Sequence, residues 1–573
     1  MSEISLTIDG EQVKVPEGTT VLSAARKLGI EIPTLCYHPD LTRHGACRVC
    51  EVEDVAHNRS LASCVTPVIE GMEISTRSRR ARKARRRNVS LLLANHPNDC
   101  LGCDRSGTCE LQEIAHDLSI RTREIEKYEG ETRDITPDKT GPALKREPNK
   151  CILCGRCVRI CEEVQGVSAL QFSNRGFDSI VTTAFDLPQS EINCANCGQC
   201  ATVCPVGAIV EKNEIYHVWQ ALEADDKHVV VQTAPSIQAT LGEEFGMEPG
   251  TVVTGKMVTA LRKLGFDRVF STEFTADLTI MEEGYEFLAR LEGNEKLPHI
   301  TSCCPGWVKF AEHNYPDLLN HLSSAKSPQQ MFSALAKSYY PDLTGIKPEK
   351  IYTVSIMPCT AKKFEKDRAG INGGPLKDTD AVLTTRELAL MIKEIGIDLN
   401  HLPEDEYDEL LGKSTGAGTI FGTTGGVTEA AVRTVKEKLT GEPLERLELG
   451  FVGVQDKEIE IGDRTIKVAI VSGLGNTGEL LKDVREGTSE YDFIEVMACP
   501  HGCVGGGGQP LPVDKEKKDR RAEGLGSIDQ AKTIRKSHEN PMIKKVYEDY
   551  LEEPLSRRAH RLLHTEYRRR PKN

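Results

Sequence analysis

The sequence lacks any run of about 18 apolar residues, the length that a membrane-spanning helix requires. Its first residues, MSEISLTIDG, resemble a strand and contain no signal-peptide core, so a cytoplasmic protein without a membrane span is predicted. Aromatic residues make up only 5% of the chain, and positive charge is also in deficit. The net charge of −13 argues against nucleic acid as the general partner.

Cysteine, in contrast, is abundant, with 20 residues grouped at short spacings. A disulfide scaffold is typical of short secreted chains, which this chain of 573 residues does not resemble. Thiolates at such spacings bind soft metals and iron–sulfur clusters, so cluster binding is predicted. A chain of this length also divides into several domains, about three to five.

Two groups of ligands precede residue 110. The first has the spacing C-x10-C-x2-C-x13-C, which suits a [2Fe–2S] cluster held by one long loop, with zinc as the alternative. The second has the spacing H-x3-C-x2-C-x5-C, in which a histidine can complete a [4Fe–4S] site that has three cysteines. The predicted ligands are Cys36, Cys47, Cys50, Cys64, His96, Cys100, Cys103 and Cys109.

Two later runs repeat the spacing C-x2-C-x2-C-x3-C, which is the pattern of two-cluster bacterial ferredoxins. In that pattern the fourth cysteine of each run binds the cluster of the other run. One [4Fe–4S] cluster is therefore predicted on Cys151, Cys154, Cys157 and Cys204, and its twin on Cys194, Cys197, Cys200 and Cys161.

A basic stretch, RSRRARKARRR at residues 77–87, is interpreted as a solvated helix face or a docking surface for an acidic neighbour. Nucleic-acid binding is the alternative, but the stretch is isolated in an acidic chain.

From about residue 216 strands and helices alternate, which favours an α/β domain with parallel strands. Strands are predicted at Val229–Gln232, Val468–Val471 and Phe493–Val496, and Thr384 with Glu387 forms a capping box. Five cysteines of this half follow strand-like segments, so they are expected to converge at the carboxyl ends of strands. Four complete one cubane site and one is left over. Four glycines after Cys503 predict a loop wrapped around a large inorganic group.

Three segments of this half, TSCCPGW, MPCTAKKFE and MACPHGCVGGGGQP, resemble the signature motifs of [FeFe]-hydrogenases. The resemblance extends over essentially the whole chain, including the order of the accessory clusters. It implies an H-cluster, in which a [4Fe–4S] unit is bridged by Cys503 to a di-iron unit carrying CO, cyanide and azadithiolate. One [2Fe–2S] and three accessory [4Fe–4S] clusters are implied with it. The implied ligands of the H-cluster are Cys304, Cys359, Cys499 and Cys503.

The resemblance also implies roles for other side chains. Lys362 would donate a hydrogen bond to a cyanide ligand. Cys303 would be the first proton donor, and Glu283, Ser323 and Glu286 would continue the path to solvent. The walls of the pocket would be Pro235, Ser236, Pro328, Gln329, Met357, Phe421 and Met497.

The predicted fold is multidomain, α+β and α/β. It has a β-grasp [2Fe–2S] ferredoxin-like domain (1–78), a small [4Fe–4S] domain with one histidine and three cysteine ligands (79–125) and a two-[4Fe–4S] ferredoxin domain (140–215). An α/β H-cluster domain (216–510) and a segment resembling the hydrogenase small subunit (511–573) follow.

A further motif, Gly473-Leu-Gly-Asn-Thr-Gly478, has the G-x-G-x-x-G pattern of a dinucleotide site. The acidic residue that such a site needs would be Glu495, which lies inside the next strand rather than at its end. Packing of the turn is therefore preferred to NAD(P) binding.

The predicted function is reversible H2 oxidation and proton reduction, with H2 and protons as substrates. Ferredoxin, or flavin- and NAD(P)-binding subunits, would exchange the electrons. The alternatives are a non-catalytic hydrogen sensor and an electron-transfer subunit.

Overall fold

The computed structural model describes residues 2–293, 296–444, 446–462 and 464–571, and the chain forms two compact units. The first unit takes the residues up to 163 together with 168–190 and 203–210. The second takes 164–167, 191–202 and the described residues from 211 onward. The division into units confirms the predicted multidomain arrangement.

Within the described ranges, none of the helices combines the length and apolar character that crossing a bilayer requires.

The first unit begins with a five-stranded sheet in the order β2-β1-β5-β3-β4. Its strands are β1 (Glu3–Ile8), β2 (Glu11–Pro16), β3 (Glu51–Asp54), β4 (Arg59–Ala62) and β5 (Glu73–Ser75). Helix α1 (Val21–Lys27) packs against it, capped by Thr20, whose hydroxyl accepts from the Ser23 amide. The strand predicted for the first ten residues is confirmed as β1.

The basic stretch opens helix α2 (Arg79–Ala94). Small residues such as Ala81 and Ala84 are buried, whereas Arg79, Arg82 and Lys83 are exposed, so the stretch does present a basic helix face, as both the solvated and the docking interpretation require. The rest of this unit consists of short elements. They are α3 (Glu110–Asp117), α4 (Thr122–Ile125), β6 (Leu144–Arg146) paired with β9 (Ile209–Glu211), α5 (Arg156–Arg159), and the hairpin of β7 (Gln171–Ser173) and β8 (Ile180–Thr182).

The second unit contains two four-stranded sheets. In the first, β10 (His228–Thr233), β11 (Arg268–Ser271), β13 (Ile351–Met357) and β14 (Ala381–Thr384) are all parallel, in the order β11-β10-β13-β14. The second sheet has the order β12-β17-β16-β15. Its strands are β12 (His299–Ile300), β15 (Asp456–Ile461), β16 (Arg464–Ser472) and β17 (Phe493–Met497).

The predicted parallel α/β character is confirmed, with one departure. Strands β12, β16 and β17 are parallel, but β15 pairs antiparallel with β16 at the edge of the second sheet. A hairpin needs only a short turn, whereas a parallel neighbour needs a long crossover. The three predicted strands of this half are confirmed within β10, β16 and β17.

Helices alternate with these strands along the chain from residue 199 onward. They are α6 (Gln199–Val203), α7 (Ile215–Leu222), α8 (Thr254–Leu264), α9 (Thr272–Gly293), α10 (Pro305–Asn314), α11 (Pro328–Lys337), α12 (Tyr339–Thr344), α13 (Ala361–Glu365), α14 (Thr385–Glu394), α15 (Gly416–Ile420), α16 (Gly426–Thr440), α17 (Gly478–Glu486), α18 (Lys515–Ala531), α19 (Pro541–Val546) and α20 (Arg557–Leu563). Helix α14 starts at the predicted capping box, in which Thr384 and Glu387 each accept from the other's amide.

The glycine-rich turn Gly473–Gly478 lies between β16 and α17, as predicted. A Cβ added to Gly475 would lie 2.9 Å from the carbonyl oxygen of Val164, so this glycine is required by close packing. The preference for packing over dinucleotide binding is supported by that contact.

Candidate active site

Strand ends from both sheets of the second unit surround one cavity, which contains about 730 Å³ of space free of protein atoms. Strands β10 and β13 lead into it from one sheet, and β12 and β17 from the other. The cavity brings together all the side chains that the sequence assigned to the pocket. These are Pro235, Ser236, Cys303, Cys304, Pro328, Gln329, Met357, Cys359, Lys362, Phe421, Met497, Cys499 and Cys503.

Four of its thiols come from three strand ends. Cys304 caps α10, Cys359 precedes α13, and Cys499 and Cys503 follow β17. Burial, with repulsion from Cys304, raises the pKa of Cys359 to about 12, and burial raises that of Cys499 well above its ordinary value. Ionising such thiols requires a bound cation, so the donor set fits an iron–sulfur cluster.

The glycine run after Cys503 has a packing role. A Cβ on Gly506 would lie 2.3 Å from the carbonyl oxygen of Pro358, and one on Gly508 would lie 2.7 Å from the Cβ of Thr384. At these positions the loop approaches the ends of β13 and β14. Gly506 also lines the cavity, so the loop follows the cavity wall while its glycines allow close contact with neighbouring backbone and side chains.

Lys362 enters the cavity from α13. Its Nζ donates to Oε2 of Glu365 at 2.8 Å and to the carbonyl oxygen of Cys303 at 3.2 Å. Burial alone would lower the pKa of this lysine, but the charge and hydrogen bond of Glu365, together with the charges of Cys359 and Cys303, outweigh burial and raise it. The side chain is therefore an ammonium ion, and one of its three N–H donors is left for a ligand.

Sequence reasoning missed Glu365. Its Oε2 also accepts from Ser327 Oγ at 2.9 Å and from Gln329 Nε2 at 3.2 Å, so it holds the cavity wall at Gln329 as well as the lysine. A signal was available, because Glu365 lies three residues after Lys362 and shares its helix face.

Cys303 lies on the cavity beside Cys304. Burial raises the pKa of its thiol well above the ordinary value, and the carboxylate of Glu283 raises it further. Glu283 is fully buried, and among the described residues neither of its oxygens has a hydrogen-bond partner. Because an unpaired buried carboxylate is costly, this position favours an internal water molecule as the missing partner.

Ser323 and Glu286 form a connected pair, with Ser323 Oγ donating to Glu286 Oε2 at 3.0 Å. Burial would raise the pKa of Glu286, but the charges of His299 and Arg290 hold it below its usual range. Within the described ranges no hydrogen bond joins Glu283 to this pair. The predicted proton path thus has two parts, Cys303 with Glu283 and Ser323 with Glu286.

Two further buried groups were not found from sequence. His299 places Nε2 3.7 Å from Glu283 Oε1, and Glu495 accepts from the amides of Gly425 and Thr428 at the start of α16. Burial raises the pKa of Glu495 to about 7, and Glu283 contributes to the rise. A single histidine or glutamate inside a strand belongs to no motif, so the sequence does not show that it will be buried beside Glu283.

The first unit contains the earlier cysteine groups. The thiol of Cys36 contacts those of Cys47 and Cys64, and contact with Cys64 lowers the pKa of Cys50 to about 7. The four predicted ligands of the first group therefore lie together.

His96 also has the surroundings expected of a ligand. Its Nδ1 accepts from the Asn98 amide at 3.3 Å, while its buried Nε2 has no hydrogen-bond partner among the described residues. Burial lowers the pKa of the ring, which favours the neutral form that binds metals. Cys100 and Cys103 lie in and beside the turn Cys100–Gly102, and Cys109 precedes α3.

A second cavity, in the first unit, is lined by Cys151, Cys154, Cys157 and Cys204. The fourth cysteine of the second run thus joins the first run, as the two-cluster pattern predicts. Cys194, Cys197 and Cys200 belong to the second unit, whereas Cys161 belongs to the first. The charge of Cys197 contributes to the raised pKa of Cys499, which places this group near the active-site thiols.

Comparison with known proteins identifies the architecture. The family model of the iron only hydrogenase large subunit, C-terminal domain, matches residues 227–507, and that of the iron hydrogenase small subunit matches 515–570. The NADP-reducing hydrogenase subunit HndD of Solidesulfovibrio fructosivorans is 50% identical over 589 aligned residues, with 100% of both chains covered. The chain belongs to the iron-only hydrogenase family.

Other comparisons agree with this assignment. Iron hydrogenase 1 of Clostridium pasteurianum is 41% identical, with 99% of this chain and 100% of that protein covered. The solved structure of apo [FeFe]-hydrogenase HydA1 from Chlamydomonas reinhardtii is 43% identical with a TM-score of 0.55, covering 62% of this chain and 99% of that one.

Three family models match the N-terminal part of this iron hydrogenase. They describe a 2Fe-2S iron–sulfur cluster binding domain (1–79), the NADH-ubiquinone oxidoreductase-G iron–sulfur binding region (85–124) and the ferredoxin-like domain of NADH-quinone oxidoreductase subunit 3 (141–210). The chain is therefore a hydrogenase, an oxidoreductase with iron–sulfur cofactors. The alternative of an electron-transfer subunit is wrong, because the catalytic domain is present.

Proposed function

We propose that this hydrogenase interconverts H2 with protons and electrons at an H-cluster bound in the cavity of the second unit. The observation that supports this most strongly is the convergence of Cys304, Cys359, Cys499 and Cys503 on one buried cavity that also contains Cys303. When bound, the H-cluster supplies the redox chemistry, and the protein positions it and excludes water.

In this proposal the side chains have separate roles. The four thiolates would hold the iron–sulfur part of the group, and Cys503 would also hold the di-iron part. Lys362, fixed by Glu365, would offer its remaining N–H donor to a cyanide ligand. The apolar side chains of Met357, Phe421 and Met497 keep the cavity dry, which strengthens every electrostatic interaction inside it.

Proton movement would begin at the thiol of Cys303, which exchanges its proton with Glu283. A water molecule would connect Glu283 to Ser323, because no direct hydrogen bond joins them in the described ranges. Ser323 would pass the proton to Glu286 along its 3.0 Å hydrogen bond. Each residue exchanges one proton and is regenerated by the next transfer.

The remaining cysteine groups would bind the accessory clusters. We infer a [2Fe–2S] cluster on the first group, a histidine-ligated [4Fe–4S] cluster on the His96 group and two [4Fe–4S] clusters on the repeated runs. The domain limits would be 1–78, 79–125, 140–215, 216–510 and 511–573, the first domain having a β-grasp fold. The closeness of Cys197 to Cys499 suits electron transfer between the last accessory cluster and the active site.

The electron partner would be a flavin- and NAD(P)-binding subunit, with ferredoxin as a second carrier. Support comes from the relative that is named as a subunit of an NADP-reducing hydrogenase and from the two N-terminal family models named after NADH oxidoreductases. The proposed partner is tested by purifying the native protein and measuring H2-dependent NAD(P)+ reduction, which is expected to occur. A purified single chain that reduces ferredoxin but neither nucleotide would contradict it.

The central proposal is tested by H2 evolution with reduced methyl viologen after the protein has been loaded with the di-iron cofactor. Turnover is expected. Correctly loaded protein, verified by its infrared CO and cyanide bands, that evolves no H2 would favour the hydrogen-sensor alternative.

The histidine ligand is tested separately. His96→Ala should change the EPR signal of one [4Fe–4S] cluster, because it removes the proposed fourth ligand. His116→Ala is the matched control, since His116 is exposed on α3 and outside the ligand group. An unchanged spectrum in His96→Ala would refute the assignment.

A further inference from the structure

The C-terminal segment, defined here as residues 541–571, lies against the outer end of the proposed proton path. Ala325 pairs antiparallel with His564, and the Thr565 amide donates to the carbonyl oxygen of Ser324 at 2.9 Å. This pairing puts the His564 ring next to Ser324, the residue that follows Ser323.

A continuous line of hydrogen bonds runs from Glu286 into this segment. Ser324 Oγ lies 3.1 Å from Glu286 Oε2 and 2.8 Å from His564 Nδ1. On the other side of the ring, His564 Nε2 lies 2.8 Å from Glu282 Oε2. Glu282 is completely buried, and its other oxygen accepts from the hydroxyl of Tyr547 at 2.5 Å.

The chemistry of these groups permits two proton arrangements. Carboxylates only accept, so Nε2 of His564 must carry a proton toward Glu282. The hydroxyl of Ser324 can donate either to Nδ1 of a neutral ring or to Glu286. In the second case Nδ1 must itself carry a proton and donate to the serine oxygen. The two arrangements differ by one proton on the ring and by one rotation of the Ser324 hydroxyl.

We propose that His564 is a proton-relay residue, which accepts protons from Glu286 through Ser324 and exchanges them with solvent beside His560. The inference rests on the proposed function, because it extends the path that begins at Cys303. It assigns the C-terminal segment a role in proton transfer in addition to packing.

The proton balance is simple. An O–H bond of protonated Glu286 breaks as Ser324 Oγ takes that proton, and the serine's own proton forms an N–H bond at Nδ1 of His564. The ring then returns to neutrality by releasing a proton to water, and no electrons move. His564 itself is buried, but its ring lies against the exposed His560 with the ring centroids 4.3 Å apart, so the water that takes the proton would lie on the His560 side.

The electrostatics of Glu286 favour onward transfer. Arg290, His299 and His564 are the charged or titratable groups that hold the pKa of this carboxyl below its usual range despite burial. A proton on Glu286 is therefore short-lived and needs a base nearby. Through Ser324, the His564 ring is the base that the hydrogen bonds reach.

The decisive variant is His564→Gln in the loaded full-length protein. A glutamine amide can donate to Glu282 and accept from Ser324, so it keeps the segment attached but cannot take up a proton. Turnover with reduced methyl viologen should fall about a hundredfold, as for other lost acid–base groups. The solvent deuterium isotope effect should rise, while the thermal midpoint and the infrared CO and cyanide bands stay unchanged.

His538→Gln is the matched control. His538 lies in the chain just before this segment and also contacts a hydroxyl and a carboxylate, with Nδ1 3.2 Å from Thr434 Oγ1 and Nε2 2.9 Å from Glu437 Oε2. It has no hydrogen bond to the proton path among the described residues. Its turnover and isotope effect should match those of the unmodified protein.

A second measurement does not depend on turnover. The infrared band of protonated Glu286, identified by its absence in Glu286→Gln, should be stronger in His564→Gln at the same pH. The reason is that the positive ring no longer favours the ionised carboxylate. Unmodified protein that evolves no H2 would refute the proposed function, and the band would still test the relay.

The proposal is overturned by any of three results. These are undiminished turnover in His564→Gln, an equal loss in His538→Gln, or a loss that accompanies a lowered thermal midpoint with an unchanged Glu286 band. A loss specific to His564, with an unchanged midpoint and a stronger band, supports it.

Discussion

The two units of the chain assemble their thiols in different ways. In the first unit, Cys36, Cys47, Cys50 and Cys64 lie in one stretch of the chain and contact one another beside a small sheet. In the second, Cys304, Cys359 and Cys499 come from strand ends far apart in sequence and meet in one cavity. A local site needs only a loop, whereas a dispersed site requires both sheets to be folded.

The largest expected effect separates these two kinds of site. Cys304→Ala removes one thiolate from the dispersed set, and H2 evolution should become undetectable because the active-site cluster cannot be completed. Cys36→Ala should cost one [2Fe–2S] cluster while turnover with methyl viologen persists. Iron content and EPR measure the loss of each cluster, and the viologen assay measures turnover. Equal loss of turnover in the two variants would contradict the expected difference between the local and the dispersed site.

A smaller effect is expected inside the cavity itself. Cys303→Ala should lower turnover about a thousandfold, because it removes an acid–base group and not a cluster ligand. The infrared CO and cyanide bands should remain, in contrast to Cys304→Ala. Retained turnover would show that Cys303 is not an obligatory proton donor.

Burial in the second unit also predicts a pH effect on stability. The pKa of Glu495 is raised from 4.5 to about 7. The folded state therefore keeps a proton that the unfolded state loses above pH 4.5, and stability falls as the pH rises toward 7. The free energy of unfolding should therefore fall by about 3 kcal/mol between pH 4.5 and pH 7, at about 1.4 kcal/mol per pH unit.

Glu495→Gln imitates the protonated carboxyl and should remove this dependence. Unfolding of the variant and of the unmodified protein at pH 5 and pH 8 measures it, and the stability difference between the two proteins should favour the variant more at pH 8. A difference that is the same at both pH values would contradict the shift.

The smallest effect should be the same in both units. Thr20 caps α1 in the first unit and Thr384 caps α14 in the second, each with its hydroxyl accepting from an amide 3.2 Å away. Replacement by alanine should cost about 1 kcal/mol in each case, because a cap is a local interaction. Calorimetry of Thr20→Ala and Thr384→Ala tests this, with Thr→Ser at each position as the control that keeps the hydroxyl.

Much of this molecule was predictable because its signals are local. The spacing of the accessory cysteines, the capping box at Thr384 and the solvated face of α2 all depend on residues within a few turns of one another. Even the placement of Cys204 with the first ferredoxin run follows from a repeated spacing. The resemblance of three short motifs then indicated the family before any contact was known.

Residue types and their spacing are enough to indicate which groups bind clusters and in which order, because thiolate chemistry depends on local spacing. The folded chain was needed to show that Glu365 holds Lys362, that the glycines after Cys503 pack against strand ends, and that His564 lies beside Ser324. These arrangements join residues that are distant along the chain or depend on burial. Such contacts exist only after both sheets have folded, so no local pattern records them.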